Sequence, residues 1–161
     1  MSLLSRLLPA SNVGLDLDLT SKKRVFEHVG LLFEGSLGLS RSQIFDALLA
    51  RERLGSTGLG HGIAIPHGRI KGLKEAVGAF LRLKTPIAFE APDGNPVSLI
   101  FVLLVPEKAT DMHLQILSEL AQMFSERDMR AALSSAQDPA AAQRLITEWE
   151  PHAPSQRRAA G

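Results

Sequence analysis

The chain has 161 residues, 45% of them hydrophobic and 22% charged, which suits one folded core, hardly allows two, and excludes disorder of the whole chain. Eighteen basic residues against seventeen acidic ones leave a formal net charge of +1, so the balance gives no reason to expect nucleic acid or an anionic membrane as a partner. Cysteine is absent, which excludes disulfides, thiolate metal sites and a catalytic thiol and fits a reducing compartment.

The opening Met1 to Pro9 carries too short an apolar run for a signal peptide, and no later run approaches the ~20 residues of a membrane span, so a cytoplasmic location is expected. From Asn12 to Leu19 apolar residues alternate with polar ones, the pattern of a half-buried strand. Thr20 or Ser21 then offers a helix N-cap, and Val25, Phe26, Val29, Leu32 and Phe33 form the apolar stripe of a first helix. Ser40 and Gln43 have the spacing of a capping box, followed by Ile44, Phe45, Leu48 and Leu49 at helical spacing until Gly55. Arg51 falls on the last turn of this second helix.

Residues 58 to 67 read Gly-Leu-Gly-His-Gly-Ile-Ala-Ile-Pro-His, a pliable loop that ends with Pro66 presenting His67. Ala76 to Leu83 and Val97 to Val105 are apolar runs of the kind central strands show, separated by a turn over residues 92–96. Thr110 or Asp111 can cap a helix carrying Leu114, Leu117, Leu120, Ala121 and Phe124 on one face, with His113 in its first turn. A short helix is expected around Asp128 to Leu133, and Asp138-Pro139 opens a last helix through Trp149. Strands mixed with helices predict a layered α/β domain with helices on both sheet faces, a single unit over residues 1–150 with residues 151–161 as a frayed tail.

On local sequence, His67 reads as a nucleophile, a metal ligand or a polar turn residue. Ser56 and Thr57 add hydroxyl donors beside a glycine run that could bind an oxyanion, although no Gly-Lys-Ser/Thr follows to make it a nucleotide loop. His61, His67 and His113 could in principle hold zinc, yet neither a one-turn histidine pair nor a cysteine pair is present, so no metal is expected. His28 and His152 receive no role, and Arg53 and Arg69 read as surface cations.

The segment from Arg51 through Gly-Ser-Thr-Gly-Leu-Gly-His-Gly-Ile-Ala-Ile-Pro-His67-Gly-Arg69 resembles the active-site signature of the type-2 EIIA domains of the bacterial phosphoenolpyruvate phosphotransferase system. Lys84-Thr-Pro-Ile-Ala-Phe89, Leu103-Leu-Val-Pro106 and His113-Leu114 fit the same family, and the likeness extends to about Trp149. The resemblance implies a three-layer α/β/α sandwich with a mixed sheet, of the phosphotransferase/anion transport protein type. It implies that His67 accepts a phosphoryl group on Nε2 from an HPr-like histidine phosphocarrier, that Arg51 and His113 are active-site residues, and that no cofactor is used. Loop N–H groups with Ser56 and Thr57 would then stabilise the phosphoryl oxygens, and an acceptor that the sequence does not name would hold the Nδ1 proton. Within the family the segments are most similar to the nitrogen-regulatory branch, whose members signal by phosphorylation state to targets such as potassium-transport and sensor-kinase proteins. The alternatives are a sugar-transport component passing phosphate to a EIIB cysteine, a pure binding module on the same scaffold, and a metal hydrolase. His61 departs from the pattern, which leads one to expect asparagine or another small polar residue there.

Overall fold

The computed structural model describes residues 2–151. The tail expected at 151–161 therefore lies, from residue 152 onward, outside the described residues. The strands are β1 (Val13–Leu17), β2 (Gly58–Gly60), β3 (Ile63–Ala64), β4 (His67–Ile70), β5 (Val77–Ile87) and β6 (Val97–Pro106). The helices are α1 (Lys22–Leu37), α2 (Arg41–Arg53), α3 (Thr110–Ser125), α4 (Arg127–Ser135) and α5 (Pro139–Thr147).

The strands form one sheet in the order β1-β5-β6-β3-β2, with β4 also pairing β6. β5 runs antiparallel to β6, while β3 and β4 run parallel to it, so the sheet is mixed. β6 shows why helices must cover both faces. Its Leu99, Phe101, Leu103 and Val105 enter one core with Ile116, Leu120 and Phe124 of α3, and its Ile100, Val102 and Leu104 enter another with Phe26 and Phe33 of α1 and Leu48 of α2. Side chains alternate across a strand, so a continuous apolar run buries both faces at once. The result is the α/β/α sandwich expected from the sequence.

Ser21 caps α1 by accepting the Arg24 N–H at 3.2 Å, and Gly38, at φ 70, closes it by donating to the Glu34 carbonyl at 3.0 Å. Ser40 caps α2, but the capping box is only half formed. The Gln43 amide instead donates to the Lys71 carbonyl at 3.1 Å, so a tertiary partner displaces the local one. α3 has no side-chain cap, because Thr110 is already helical and the N-cap position is Ala109. The last helix stops at Thr147, short of Trp149, whose indole N–H donates to Glu126 Oε2 at 3.0 Å.

The N-terminal segment is core. Leu4, Leu7 and Leu8 are buried with α3 and α5 residues, and the Leu7 carbonyl accepts the Gly78 N–H of β5 at 2.8 Å. Its short 3-10 turns escape a search for helical periodicity.

Candidate functional site

The segment read as a pliable loop is a hairpin at the sheet edge. β2 pairs antiparallel with β3 around Gly60 (φ 90), His61 (φ 56) and Gly62 (φ 79), three consecutive left-handed residues. Strands this short and this rich in glycine carry no readable alternation, which is why the sequence pattern suggested a loop. The Asp93 carboxylate fastens the tip, accepting the His61 N–H at 2.9 Å and the Asn95 N–H at 3.1 Å. These two backbone donors, His61's first, hold the Asp93 carboxyl below its ordinary range.

A left-handed conformation costs any residue with a Cβ, somewhat less for asparagine than for histidine, and is easy for glycine. His61→Gly is expected to raise stability by about 1 kcal/mol, and His61→Asn by less. Urea melts check this, and an unchanged or lower midpoint for both variants contradicts it.

After the hairpin, the chain continues along β6 in the same parallel register through Pro66, whose carbonyl accepts the Leu103 N–H at 2.9 Å, and β4 pairs β6 with His67 beside Leu103, which places His67 on the face covered by α3. The Ile65 carbonyl lies 2.9 Å from His67 Nδ1. A carbonyl can only accept, so Nδ1 carries the proton and Nε2 keeps its lone pair. That lone pair accepts from Arg51 Nε at 3.2 Å, and Arg51 Nη1 donates to the Gly55 carbonyl at 2.8 Å. His113 reaches the site from the first turn of α3. Its ring lies edge-on to His67, centroid to centroid 5.1 Å, it is only 8% exposed, and its Nε2 has no hydrogen-bond partner among the described residues.

A cavity of about 350 Å³ opens here, bounded by Arg51, Ser56, His67, Leu117, Ser118 and Ala121. Leu59 and Leu114, 44% and 63% exposed, stand at its rim. The apolar face of α3 is thus divided. Ile116, Leu120, Met123 and Phe124 fill the core, while Leu114, Leu117 and Ala121 turn towards the cavity.

Ser56 and Thr57 also line it, with hydroxyls already engaged. Ser56 donates to the Phe89 carbonyl at 2.5 Å and accepts the Gly58 N–H at 3.0 Å. Buried Thr57 donates both its hydroxyl, at 2.7 Å, and its N–H, at 3.0 Å, to the Glu52 carboxylate. His61 sits at the exposed hairpin tip, and no cluster of three or more His, Asp or Glu side chains suited to a metal ion occurs among the described residues.

Sequence reasoning missed Glu52 and Ile65. Glu52 follows Ile44 and Leu48 at intervals of four on the buried stripe of α2, and an acidic residue on an apolar stripe was the available signal.

Burial is the main force lowering the His67 pKa. Arg51 adds to it, while the Ile65 carbonyl and Glu52 oppose. Burial likewise lowers His113 most, followed by His67, Arg69 and Arg51, and burial lowers His28. All three therefore titrate below the ordinary 6.5 in the folded chain. As pH falls through 6.5 the unfolded chain takes up protons that the folded chain refuses. Stability owed to these groups is expected to be level above about pH 7 and to decline below about 6.5. Urea midpoints between pH 8 and 5 at fixed ionic strength measure it, and a midpoint that holds or rises on acidification contradicts it.

The sequence model described as phosphoenolpyruvate-dependent sugar phosphotransferase system, EIIA 2, matches residues 6–149. The nitrogen regulatory protein of Pseudomonas aeruginosa is 46% identical over 129 residues, which are 80% of this chain and 84% of that one. The nitrogen regulatory protein of Escherichia coli K12 is 44% identical over 131 residues, 81% of this chain and 80% of that one. The crystal structure of nitrogen regulatory protein IIA-Ntr from Neisseria meningitidis superposes with a TM-score of 0.86 at 51% identity, covering 91% of this chain and all of that one. The Escherichia coli complex of enzyme IIAMTL with phosphorylated enzyme IIBMTL matches with a TM-score of 0.73 at 18% identity, covering 89% of this chain and 100% of that one, a likeness of fold.

Proposed function

The chain belongs to the EIIA type-2 family of the phosphoenolpyruvate-dependent sugar phosphotransferase system, in a form like the nitrogen regulatory proteins, and on that premise we propose that His67 accepts a phosphoryl group from an HPr-like phosphocarrier and that the chain signals by its phosphorylation state.

The observation that carries this reading is the state of the His67 ring. Its proton is held at Nδ1 by the Ile65 carbonyl, so the Nε2 lone pair beside the cavity is the nucleophile. In the transfer, that lone pair forms the new N–P bond while the N–P bond of the carrier's phosphohistidine breaks, its electron pair returning to the carrier nitrogen. No water, metal or cofactor enters the balance. The His67 ring becomes more positive as the bond forms, and the Ile65 carbonyl then holds a stronger N–H donor. Arg51 supplies guanidinium donors to the phosphoryl oxygens, and buried His113, whose Nε2 has no hydrogen-bond partner among the described residues and which lies near the N-terminus of α3, supplies an imidazole donor where the helix dipole favours an anion.

Ser56 and Thr57 shape the wall and orient the turn, since their hydroxyl protons are committed to Phe89 and Glu52. Residues 1–150 act as one cytoplasmic domain, and the family match over residues 6–149 supports the single unit. The downstream partners are regulatory proteins of the potassium-transport or sensor-kinase kind.

Incubation with a phosphorylated histidine carrier should add one acid-labile phosphoryl group, located on His67 by mass spectrometry. No incorporation, or incorporation at another residue, overturns the reading. Rapid passage of the group to the cysteine of a EIIB protein would replace signalling by the transport role.

A further inference from the structure

Glu52 is 9% exposed, and its carboxylate accepts three hydrogen bonds from two residues. Oε2 accepts from Lys22 Nζ at 2.9 Å and from the Thr57 N–H at 3.0 Å, and Oε1 accepts the Thr57 hydroxyl at 2.7 Å. Lys22 is itself fixed, paired also with Glu90 and lying 4.7 Å from the centre of the Phe89 ring. From Thr57 the bonding continues towards the site. The Thr57 carbonyl accepts the Ile65 N–H at 3.0 Å, and the Ile65 carbonyl holds His67 Nδ1 at 2.9 Å.

A buried ion pair is seldom the most stable filling for such a position, and a leucine would continue the stripe of Ile44 and Leu48. What the carboxylate does that a leucine cannot is hold both donors of one residue, Thr57, and so set the path of the chain between α2 and the hairpin. Resting on the reading of His67 as phosphoryl acceptor, we propose that Glu52 is a positioning residue that fixes the place and tautomer of His67 through Thr57 and Ile65.

The consequence is chemical. An imidazole whose Nδ1 proton is no longer held can carry its proton on Nε2, and that nitrogen then has no lone pair with which to attack phosphorus. The negative charge of Glu52 also favours the positive charge that His67 gains during transfer, in line with its opposing the effect of burial on that ring.

The test uses the full chain as Glu52→Gln, which keeps the shape of the side chain and removes its charge, and as Thr57→Val, which keeps the Glu52–Lys22 pair and removes one bond. Imidazole ¹⁵N shifts at pH 8 report the tautomer of unphosphorylated His67 without any carrier. Transfer kinetics with a phosphorylated histidine carrier report kcat and KM separately. In Glu52→Gln, His67 should shift from the Nδ1–H towards the Nε2–H tautomer and kcat should fall about 10-fold with KM unchanged, the scale on which outer-shell partners act. Thr57→Val should move both in the same direction by less, and it carries the test alone if the glutamine variant does not fold. An unaltered tautomer overturns the proposal whether or not kcat falls, and so does a loss confined to KM. Failure of the wild-type chain to accept phosphate removes the functional reading, while the tautomer still judges Glu52.

Discussion

Replacement of His67 by alanine is expected to abolish phosphoryl acceptance from a histidine carrier while leaving a folded chain. The variant removes the imidazole lone pair that lies beside the cavity with the Arg51 Nε donor on it, and neighbouring His113 is no substitute. His113 is buried at 8% exposure, which prevents the approach of a second protein's phosphohistidine to its ring. The stability cost is modest, because His67 is half-buried and its loss leaves chiefly the Ile65 carbonyl without its side-chain donor, a matter of about 1–2 kcal/mol. Radiolabel or mass increment after incubation with the phosphorylated carrier measures the result, beside a circular dichroism spectrum to confirm folding. Persisting stoichiometric phosphorylation of the alanine variant would place the acceptor elsewhere.

How much of this could be read from the sequence depended on whether a residue's partner was local. The caps of α1 and α5 were legible because Ser21 and Asp138 bond N–H groups three residues on, at 3.2 and 2.8 Å. β6 was legible because an unbroken apolar run from Leu99 to Val105 fills most of it. The Gln43 half of the capping box failed for the opposite reason, its amide being taken by Lys71 from another part of the fold. The hairpin of β2 and β3 depends on positive φ angles and on Asp93, some thirty residues away, neither of which gives a periodic signal.

The same division runs through the site. Arg51 and His67 were named from a long motif and His113 from the later His113-Leu114 segment, and the structure brings the three together, with His67 bonded to Arg51 and in ring contact with His113 and with Arg51 and His67 lining the cavity. Ser56 and Thr57 were named for the same wall, but as free donors. Their protons are spent on Phe89 and Glu52, partners fixed only by tertiary contact. The acceptor that orients His67 is a backbone carbonyl. No side-chain motif can announce it, since every residue has one.

Replacement of Arg51 by alanine is expected to separate two reactivities of His67 that would otherwise change together. Arg51 Nε donates at 3.2 Å to the very lone pair that, on the proposed function, attacks phosphorus, so the resting contact and the new N–P bond would exclude each other. For transfer to occur the guanidinium has to leave Nε2 and donate to the phosphoryl oxygens, keeping or exchanging its Nη1 bond to the Gly55 carbonyl. Its contact with the free histidine thus works against the nucleophile, and its contact with the transferring group works for it. Only the second speeds the reaction, because catalysis depends on what is stronger in the transition state than in the ground state. Removing Arg51 should lower carrier-dependent transfer by about 10²- to 10³-fold, as loss of a preorganised charge donor does at similar centres. Arg51→Lys should recover only part of this, since an ammonium lacks the planar fork that spans two oxygens. Towards a small acylating reagent such as diethyl pyrocarbonate, which needs only a free lone pair, His67 in Arg51→Ala should instead react faster, with its pKa moved upward because one of the causes lowering it is gone. Both rates are measured at pH 8, where the ring is neutral in each protein. A fall in both would mean that Arg51 merely holds His67 in place, and a rise in acylation with transfer unchanged would mean that the guanidinium never reaches the phosphoryl group.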